Sequence, residues 1–461
     1  MSRETGNGQV MPGDAGPQVP WWGRLLRCII YTTFLLVSRA MFRVRFRLIG
    51  GPGGLSGTIF LGHHKSDFDG LIGLPVAYWA NRNSDSLSRA EALRARARTV
   101  VVSGEHVFQP GFLAGYLVRR PRWLSFLLYH VRVDGILKAM GWHPMPQGRR
   151  RYLVSHLIDI LESHGNPPLS EVFVDSPEDR VAGARPGARI RDVLKWKYRD
   201  DLFRLCEFSI FEPRIAESLL QRHKDRIAAS LSLFTETLNN GGTLFLAPNG
   251  GLSSDGRMGP FKSGLSQIVE GATRKVVLVP GNITYDLMST GRMAAFVTRG
   301  AHLRGVEAWP RERLEEEVRR AILAATTVTL GHLASRALRE RALLGDQEAE
   351  EKVLKAEVRD QAHKMAREGF IVDDRLLKPR SFDQRWRRFL ACGKRKGLFL
   401  GINGVLHFDP ECVLSESVSK KGRVKPWVFC ANELEALVEA HGSNGPIRVA
   451  GGCAASRPLR Q

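Results

Sequence analysis

His63-His64-Lys65-Ser66-Asp67-Phe68-Asp69-Gly70 decides how the chain is read. It follows Gly62 at the end of the apolar run Thr58-Ile59-Phe60-Leu61, and the turn-forming Gly51-Pro52-Gly53-Gly54 bounds that run upstream. A short apolar run between turn signals reads as a buried strand. A histidine just past it stands where the chain leaves the sheet, which is where α/β proteins build active sites. Four residues separate His64 from Asp69, so a turn and the first residues of a helix bring carboxylate and imidazole together. A carboxylate in that place holds one ring nitrogen protonated and leaves the other free as a base.

Outward from this stretch the pattern alternates between strands and helices. Met41 to Ile49 sets Val44, Phe46 and Leu48 on one face and Arg43, Arg45 and Arg47 on the other, a strand with a basic outer face. Thr99 to Ser103, Thr243 to Ala247 and Lys275 to Val279 read as further strands. Gly111 to Met140 is helical in pattern, mixing Arg119, Arg120 and Arg122 with Trp123, Phe126, Leu127 and Leu128. Ile215 to Leu238 is a long amphipathic helix stopped by Asn239-Asn240-Gly241-Gly242. This alternation predicts an α/β fold, a mostly parallel central sheet flanked by helices.

The division expected is a disordered N-terminus over residues 1–20, an amphipathic helix over 21–42, a main domain over 43–310 and an extension over 311–461. Residues 152–205 read as an insertion: a helix over Tyr152 to Ser163, a loop rich in Pro and Gly, then a charged segment. In the extension, Arg311 to Arg367 is charge-rich helix, Gly397 to Val428 is short strand-like pieces, and Asn432 to His441 is a last helix. Residues 81–98 are polar and Arg-rich, and the chain ends in a Gly/Arg tail.

The 461 residues carry 68 Lys and Arg against 47 Asp and Glu, a net +21 that favours anionic partners: phosphate-bearing substrates, anionic lipid or nucleic acid. Six cysteines without a CxxC pair indicate neither a zinc knuckle nor a disulfide framework. Trp21-Trp22 precede Arg24 and Arg27, the run Cys28 to Val37 follows, and the charge-free interval from Arg27 to Arg39 is too short to span a bilayer. Such a helix suits the membrane interface or the surface of the core. The basic clusters Arg385-Trp386-Arg387-Arg388 and Lys420-Lys421-Gly422-Arg423 come without a nucleic-acid motif and read as solvated or membrane-facing charge.

The second informative stretch runs off a strand: Phe245-Leu246-Ala247-Pro248-Asn249-Gly250-Gly251-Leu252-Ser253-Ser254-Asp255-Gly256-Arg257-Met258-Gly259-Pro260-Phe261-Lys262-Ser263-Gly264. Its glycines let backbone N–H groups approach an oxyanion, and Arg257 and Lys262 supply charge. The plainer alternative is a glycine-rich turn with solvated charges. A metal site built from His63, His64, Asp67 and Asp69 finds no later His-rich cluster to complete it, so no metal is expected. No G-x-S-x-G elbow and no G-x-x-x-x-G-K-[ST] loop is present.

Taken in order, His-x4-Asp at a strand end, the Pro-Asn-Gly-Gly to Phe-Lys-x-Gly loop and Val277-Leu278-Val279-Pro280 resemble the glycerophosphate and lysophosphatidate acyltransferase superfamily over roughly residues 40–310. The resemblance implies that His64 is the general base and Asp69 its orienting partner. It puts Asn249, Gly250, Gly251, Arg257 and Lys262 on the acceptor phosphate and Pro280 on the later strand motif. Asn249 and Gly251 depart from the usual Glu and Thr, and Ala-Pro-Asn-Gly-Gly is similar to the Ala-Pro-Ser-Gly-Gly of plant plastid glycerol-3-phosphate acyltransferases. The family's middle Gly…Arg element has two matches, Gly141 to Arg150 and Phe208 to Arg214, of which Arg149 and Arg150 are favoured. The resemblance further implies acyl-CoA or acyl-carrier protein as co-substrate and no cofactor. Glycerol-3-phosphate or lysophosphatidate would be the acceptor, and the protein would sit peripherally or monotopically on the cytoplasmic face of an anionic membrane. The rival classes are a metal-dependent hydrolase using the same His/Asp cluster and a non-enzymatic binder of membrane or nucleic acid.

Overall fold

The computed structural model describes residues 19–49, 57–80, 98–117, 121–146, 148, 150–418 and 423–442, with the backbone alone for 76–80 and 116–117. The expected disorder over 1–18, the turn at Gly51 to Gly54 and the polar segment 81–97 lie outside these residues. So do Arg119, Arg120, Arg149, Lys420 to Gly422 and the Gly/Arg tail.

In chain order, α1 (Trp21–Met41), β1 (Arg43–Leu48), β2 (Thr58–Gly62), α2 (Asp69–Ala80) and β3 (Thr99–Gly104) come first. Then come α3 (Arg122–Tyr129), β4 (Trp142–Met145), β5 (Arg151–Tyr152), α4 (Leu153–His164), β6 (Leu205–Cys206), α5 (Pro213–Asn239) and β7 (Thr243–Leu246). α6 (Gly264–Glu270), β8 (Val277–Tyr285), β9 (Ala294–Arg299), α7 (Arg311–Ala324), α8 (Leu330–Leu343) and β10 (Glu348–Glu350) follow. α9 (Glu351–Arg367), α10 (Pro379–Lys396), β11 (Leu400–Ile402), β12 (Val405–His407) and α11 (Pro426–Gly442) complete the order used below. The chain is α/β, with a mostly parallel, mixed seven-stranded main sheet flanked by helices. Four of those strands belong to one compact unit and three to another.

The first unit comprises residues 1–27, 93–246 and 271–274. β3 runs parallel to β7 (Thr99↔Thr243) and to β4 (Val101↔Trp142). Residues 152–205 carry a core of their own: Leu157, Ile160, Val172, Phe173, Leu202 and Phe203 pack with Phe211 and Leu219. Burying each such side chain contributes roughly 1.5–3 kcal/mol. Arg151 is buried beneath this cluster, donating to Glu105 (Nη2–Oε2, 2.8 Å) and Asp159 (Nη1–Oδ2, 2.8 Å). The continuous helix expected over 111–140 is instead broken. Pro121 restarts the helix as the N-cap of α3, because proline cannot donate to a preceding turn. Upstream, Gly115 allows the Phe203 ring to pack where a Cβ would stand 2.2 Å from it.

The second unit comprises residues 28–92, 247–270 and 275–461. Its strands run in the order β1-β9-β8-β2. β2 is parallel to β8 (Thr58↔Val277 through Gly62↔Gly281), β8 antiparallel to β9 (Gly281↔Arg299 through Tyr285↔Ala295), and β1 parallel to β9. Ile59 and Leu61 of β2 are buried, as the apolar run foretold. β8 is longer than the strand expected at Lys275 to Val279, because its second half gains β9 as a partner.

Residues 311–461 fall within this same unit. The helix expected over Arg311 to Arg367 is three helices. Thr329 caps α8 by accepting from His332 N (3.4 Å), and Gly345 at φ +88° ends the turn after it. Around them Val328, Leu333, Leu338, Leu354, Val358, Phe382, Trp386, Phe389 and Leu434 form one apolar cluster. β11 and β12 are joined by Asn403-Gly404, both at positive φ, the two-residue turn that suits an antiparallel hairpin.

α1 is a 21-residue helix whose Trp21, Trp22, Leu25, Ile29, Leu36 and Val37 are exposed while Arg27, Tyr31 and Ser38 are buried. Among the described residues no helix is long and apolar enough to cross a membrane.

Candidate active site

The site is built in the second unit, where β2 ends. Past Gly62 the chain is irregular over His63 to Ser66, turns at Asp67-Phe68, and enters α2 at Asp69. That path curls the loop around the first carboxylate of the helix. Asp69 Oδ2 accepts three hydrogen bonds: from His64 Nδ1 (2.9 Å), from the Lys65 N–H (2.6 Å) and from the Ser66 N–H (2.9 Å). Its other oxygen accepts from the Tyr285 hydroxyl at the end of β8 (2.6 Å). A carboxylate can only accept here, so His64 Nδ1 carries a proton, and in the neutral ring the lone pair falls on Nε2. The His64 side chain is 39% exposed and that of Asp69 12%, so the ring meets solvent while its partner is shielded. His64 Nε2 has no hydrogen-bond partner among the described residues, which leaves a base oriented from behind and open in front.

Tyr285 is buried, and burial together with the neighbouring Asp69 charge raises its phenol well above the ordinary value, so it remains a donor. His63 points the other way, as adjacent residues of an extended chain do. It is 3% exposed, its ring nitrogens have no partner among the described residues, and burial, reinforced by the Lys65 ammonium, pushes its pKa down to about 3. It packs as a neutral ring. Asp67 lies at the surface with its carboxylate 3.5 Å from Arg423. No group of three or more His, Cys, Asp or Glu among the described residues has the arrangement of a metal site.

The glycine-rich loop is tied to this base directly: the Ser253 N–H donates to the His64 carbonyl (2.8 Å). The loop leaves β7 and tightens at once, the Gly250 N–H bonding Ala247 O (2.9 Å) and the Lys262 N–H closing on Pro248 O (2.9 Å). Gly250 sits at φ +66°, and a Cβ there would come within 3.2 Å of Lys262 Cγ, so glycine lets the lysine stem lie across the turn. The Lys262 side chain is exposed and has no acidic partner among the described residues. Asn249 donates from Nδ2 to Gly251 O (2.9 Å), while its Oδ1 is buried and unpartnered. Ser253 Oγ braces the far limb, accepting from Gly256 N (3.0 Å) and donating to Arg257 O (3.0 Å).

Arg257 is arranged otherwise than a free phosphate ligand would be. Its guanidinium is shared by Glu416 (3.0 Å), Asp255 (3.7 Å) and Glu435 (3.8 Å), so carboxylates already hold the charge. The loop's uncommitted cation is Lys262. Arg150 belongs to the first unit, where it pairs with Glu207 (2.7 Å) and lines a cavity with Arg180 and Arg204. Arg149 lies outside the described residues. Pro280 is buried in β8, its carbonyl accepting from Gly300 N (2.8 Å).

The structure thus joins His64, Asp69 and the 249–262 loop in one unit, and adds residues to which the sequence assigned no role. Tyr285 closes the Val-Pro strand stretch, and its position at a strand end was the one available signal. Ser253 acts through its backbone, which leaves no side-chain signature. Lys65, whose side chain turns inward, meets its partner far down the chain.

The chain matches no protein-family model, and no curated protein is significantly similar to it.

Proposed function

We propose that the protein is an O-acyltransferase moving a fatty acyl group from acyl-CoA or acyl-carrier protein to the hydroxyl of glycerol-3-phosphate or lysophosphatidate, in phospholipid biosynthesis. The observation that carries this reading is the His64–Asp69 pair: a ring with Nδ1 spent on a saturated carboxylate and Nε2 open, next to a glycine turn with a free lysine. His64 Nε2 takes the hydroxyl proton as the oxygen attacks the thioester carbonyl. The new C–O bond forms, the C–S bond breaks, and the imidazolium returns its proton to the departing thiolate. A thiolate leaves readily, so the chain's own residues suffice for the proton transfers, which typically contribute ~10²–10⁴-fold.

Lys262 meets the acceptor phosphate with the Asn249-Gly250-Gly251 turn, and Arg257 reaches it by exchanging one carboxylate for the phosphate. The +21 charge and the exposed Trp21, Trp22, Leu25, Ile29 and Leu36 of α1 support a peripheral or monotopic position on the cytoplasmic face of an anionic membrane.

The test is labelled acyl-CoA and acyl-carrier protein supplied to pure protein against both acceptors. His64→Ala is expected to lose nearly all transfer with unchanged circular dichroism. A His64→Ala protein that keeps most of the activity would remove His64 from the reaction.

A further inference from the structure

α11 makes contacts to the base loop and the glycine-rich loop that acyl transfer itself does not require. Lys65, in the middle of the base loop, is 2% exposed, and its ammonium pairs with Glu433 Oε1 of α11, itself 1% exposed. The other oxygen of Glu433 faces His332 Nε2 (3.1 Å) on α8. Thr329 N–H donates to His332 Nδ1 (3.0 Å), so Nδ1 is the acceptor and Nε2 carries the proton given to Glu433. One cation, one anion and one neutral ring therefore close a buried chain in which every polar atom named is used. Burial works against a charged Glu433, yet Lys65 and His332 hold its carboxyl down to about 2.

The same helix grips the glycine-rich loop. One residue before Glu433, Asn432 donates from Nδ2 to Asp255 O (3.0 Å) and is itself held by Arg339 on its Oδ1 (2.6 Å). One turn earlier the Phe429 carbonyl lies against Gly256, where a Cβ would stand 2.4 Å from that oxygen at φ +91°. Residues 429, 432 and 433 share one helical face, being three and four apart. On entering α11 the chain also bonds Val424 N to Ser254 O (3.1 Å).

We propose that α11 is a positioning element of the site: Glu433 on Lys65, and Asn432 with Phe429 on residues 255–256, fix the base loop and the glycine-rich loop in one register. The inference rests on the acyl-transfer reading for its kinetics alone. Lys65 is the residue whose N–H gives Asp69 Oδ2 its shortest hydrogen bond, at 2.6 Å. Holding its side chain from the interior holds that donor, and through Asp69 the protonated Nδ1 of His64. A buried ion pair is a poor source of stability, since well-packed apolar replacements are often neutral or stabilising. Its presence beneath the base loop fits a role in placing that loop.

The experiment separates the two roles. The double variant Lys65→Met/Glu433→Leu removes the pair without leaving a lone buried charge. Because the buried His332 Nε2–H loses its acceptor, the denaturant midpoint is expected to fall by no more than that one stranded donor accounts for, while kcat of the folded protein falls about tenfold or more. In ¹⁵N-histidine NMR the His64 signal moves from the Nδ1–H tautomer to a mixture. Asn432→Ala, freeing the other loop, raises acceptor KM with little change in kcat. A folded double variant that keeps kcat within twofold and the Nδ1–H tautomer overturns the proposal. Should the double variant fail to fold, Glu433→Gln gives the same two readouts. If the parent transfers no acyl group to any acceptor, the acyl-transfer reading fails, and the tautomer of His64 still decides the role of α11.

Discussion

Asp69→Asn tests the core of the site with little disturbance of shape. The amide oxygen can take the place of Oδ2 and keep the Lys65 and Ser66 N–H bonds, while the amide NH₂ meets the Tyr285 oxygen, which rotates to accept. What disappears is the negative charge 2.9 Å from His64 Nδ1 as that ring becomes an imidazolium. A hydrogen bond to a charged group contributes about 1.5–3 kcal/mol. At ~1.36 kcal/mol per decade the expected loss in kcat is roughly 10- to 160-fold. Acceptor KM should barely move, because Asp69 acts on the base and not on the acceptor. The assay is thiol release from acyl-CoA followed with a thiol-reactive chromophore, beside a denaturant melt to show that the fold survives. Asp69→Ala is the contrast: it strands the Lys65 and Ser66 N–H groups and the Tyr285 hydroxyl, at about 1–3 kcal/mol for each buried donor. A folded Asp69→Asn protein with kcat within threefold of the parent would refute the orienting role.

Three further expectations follow from other parts of the molecule. Lys262→Ala should raise acceptor KM more than Arg257→Ala does, since Lys262 is uncommitted while Arg257 is held by Glu416, Asp255 and Glu435; steady-state kinetics on both variants would show the reverse order if the assignment is mistaken. Arg151→Met leaves Glu105 buried without its cation, while Asp159 keeps only Arg226 (2.6 Å), and should cost about 3–5 kcal/mol in urea unfolding, whereas a loss under ~1 kcal/mol would mean that the cluster relaxes into water. His156 has its pKa lowered to about 3, first by burial and then by Arg151, so the unfolded chain takes up the proton first and the ring's contribution falls as pH drops below about 6.5. Between pH 5.5 and 4, His156→Leu should therefore reduce the slope of stability against pH by about 1.4 kcal/mol per unit, and urea melts showing an unchanged slope would contradict the buried neutral state.

The parts legible in sequence are those whose causes lie close together along the chain. His64 and Asp69 sit within one strand-to-helix turn, so their meeting follows from local geometry. β2 announced itself because a strand buried on both faces is a continuous apolar run, and α5 because its stripe repeats over many turns. The stretch 111–140 reads as helical in pattern because apolar periodicity survives a break, while Pro121 and the packing of Gly115 on Phe203 divide it into shorter pieces. Arg257 looked free since Glu416 and Glu435 lie more than a hundred residues away. Tyr285 and Lys65 escaped for the same reason: burial and partnership across the fold decide their roles, and no local pattern records either.

The separation between Lys65 and Glu433, 368 residues, also orders events in time. On the ribosome the histidine loop is made long before α11, and its lysine lacks Glu433 until α11 has left the exit tunnel. Closing a contact over so long a stretch of chain is slow, and until it closes the ammonium has no buried carboxylate to pair with. The base therefore comes into its final setting only after α11 docks. A nascent or clipped chain that lacks Glu433 would carry the whole His64–Asp69 motif and still present it in an unfinished loop.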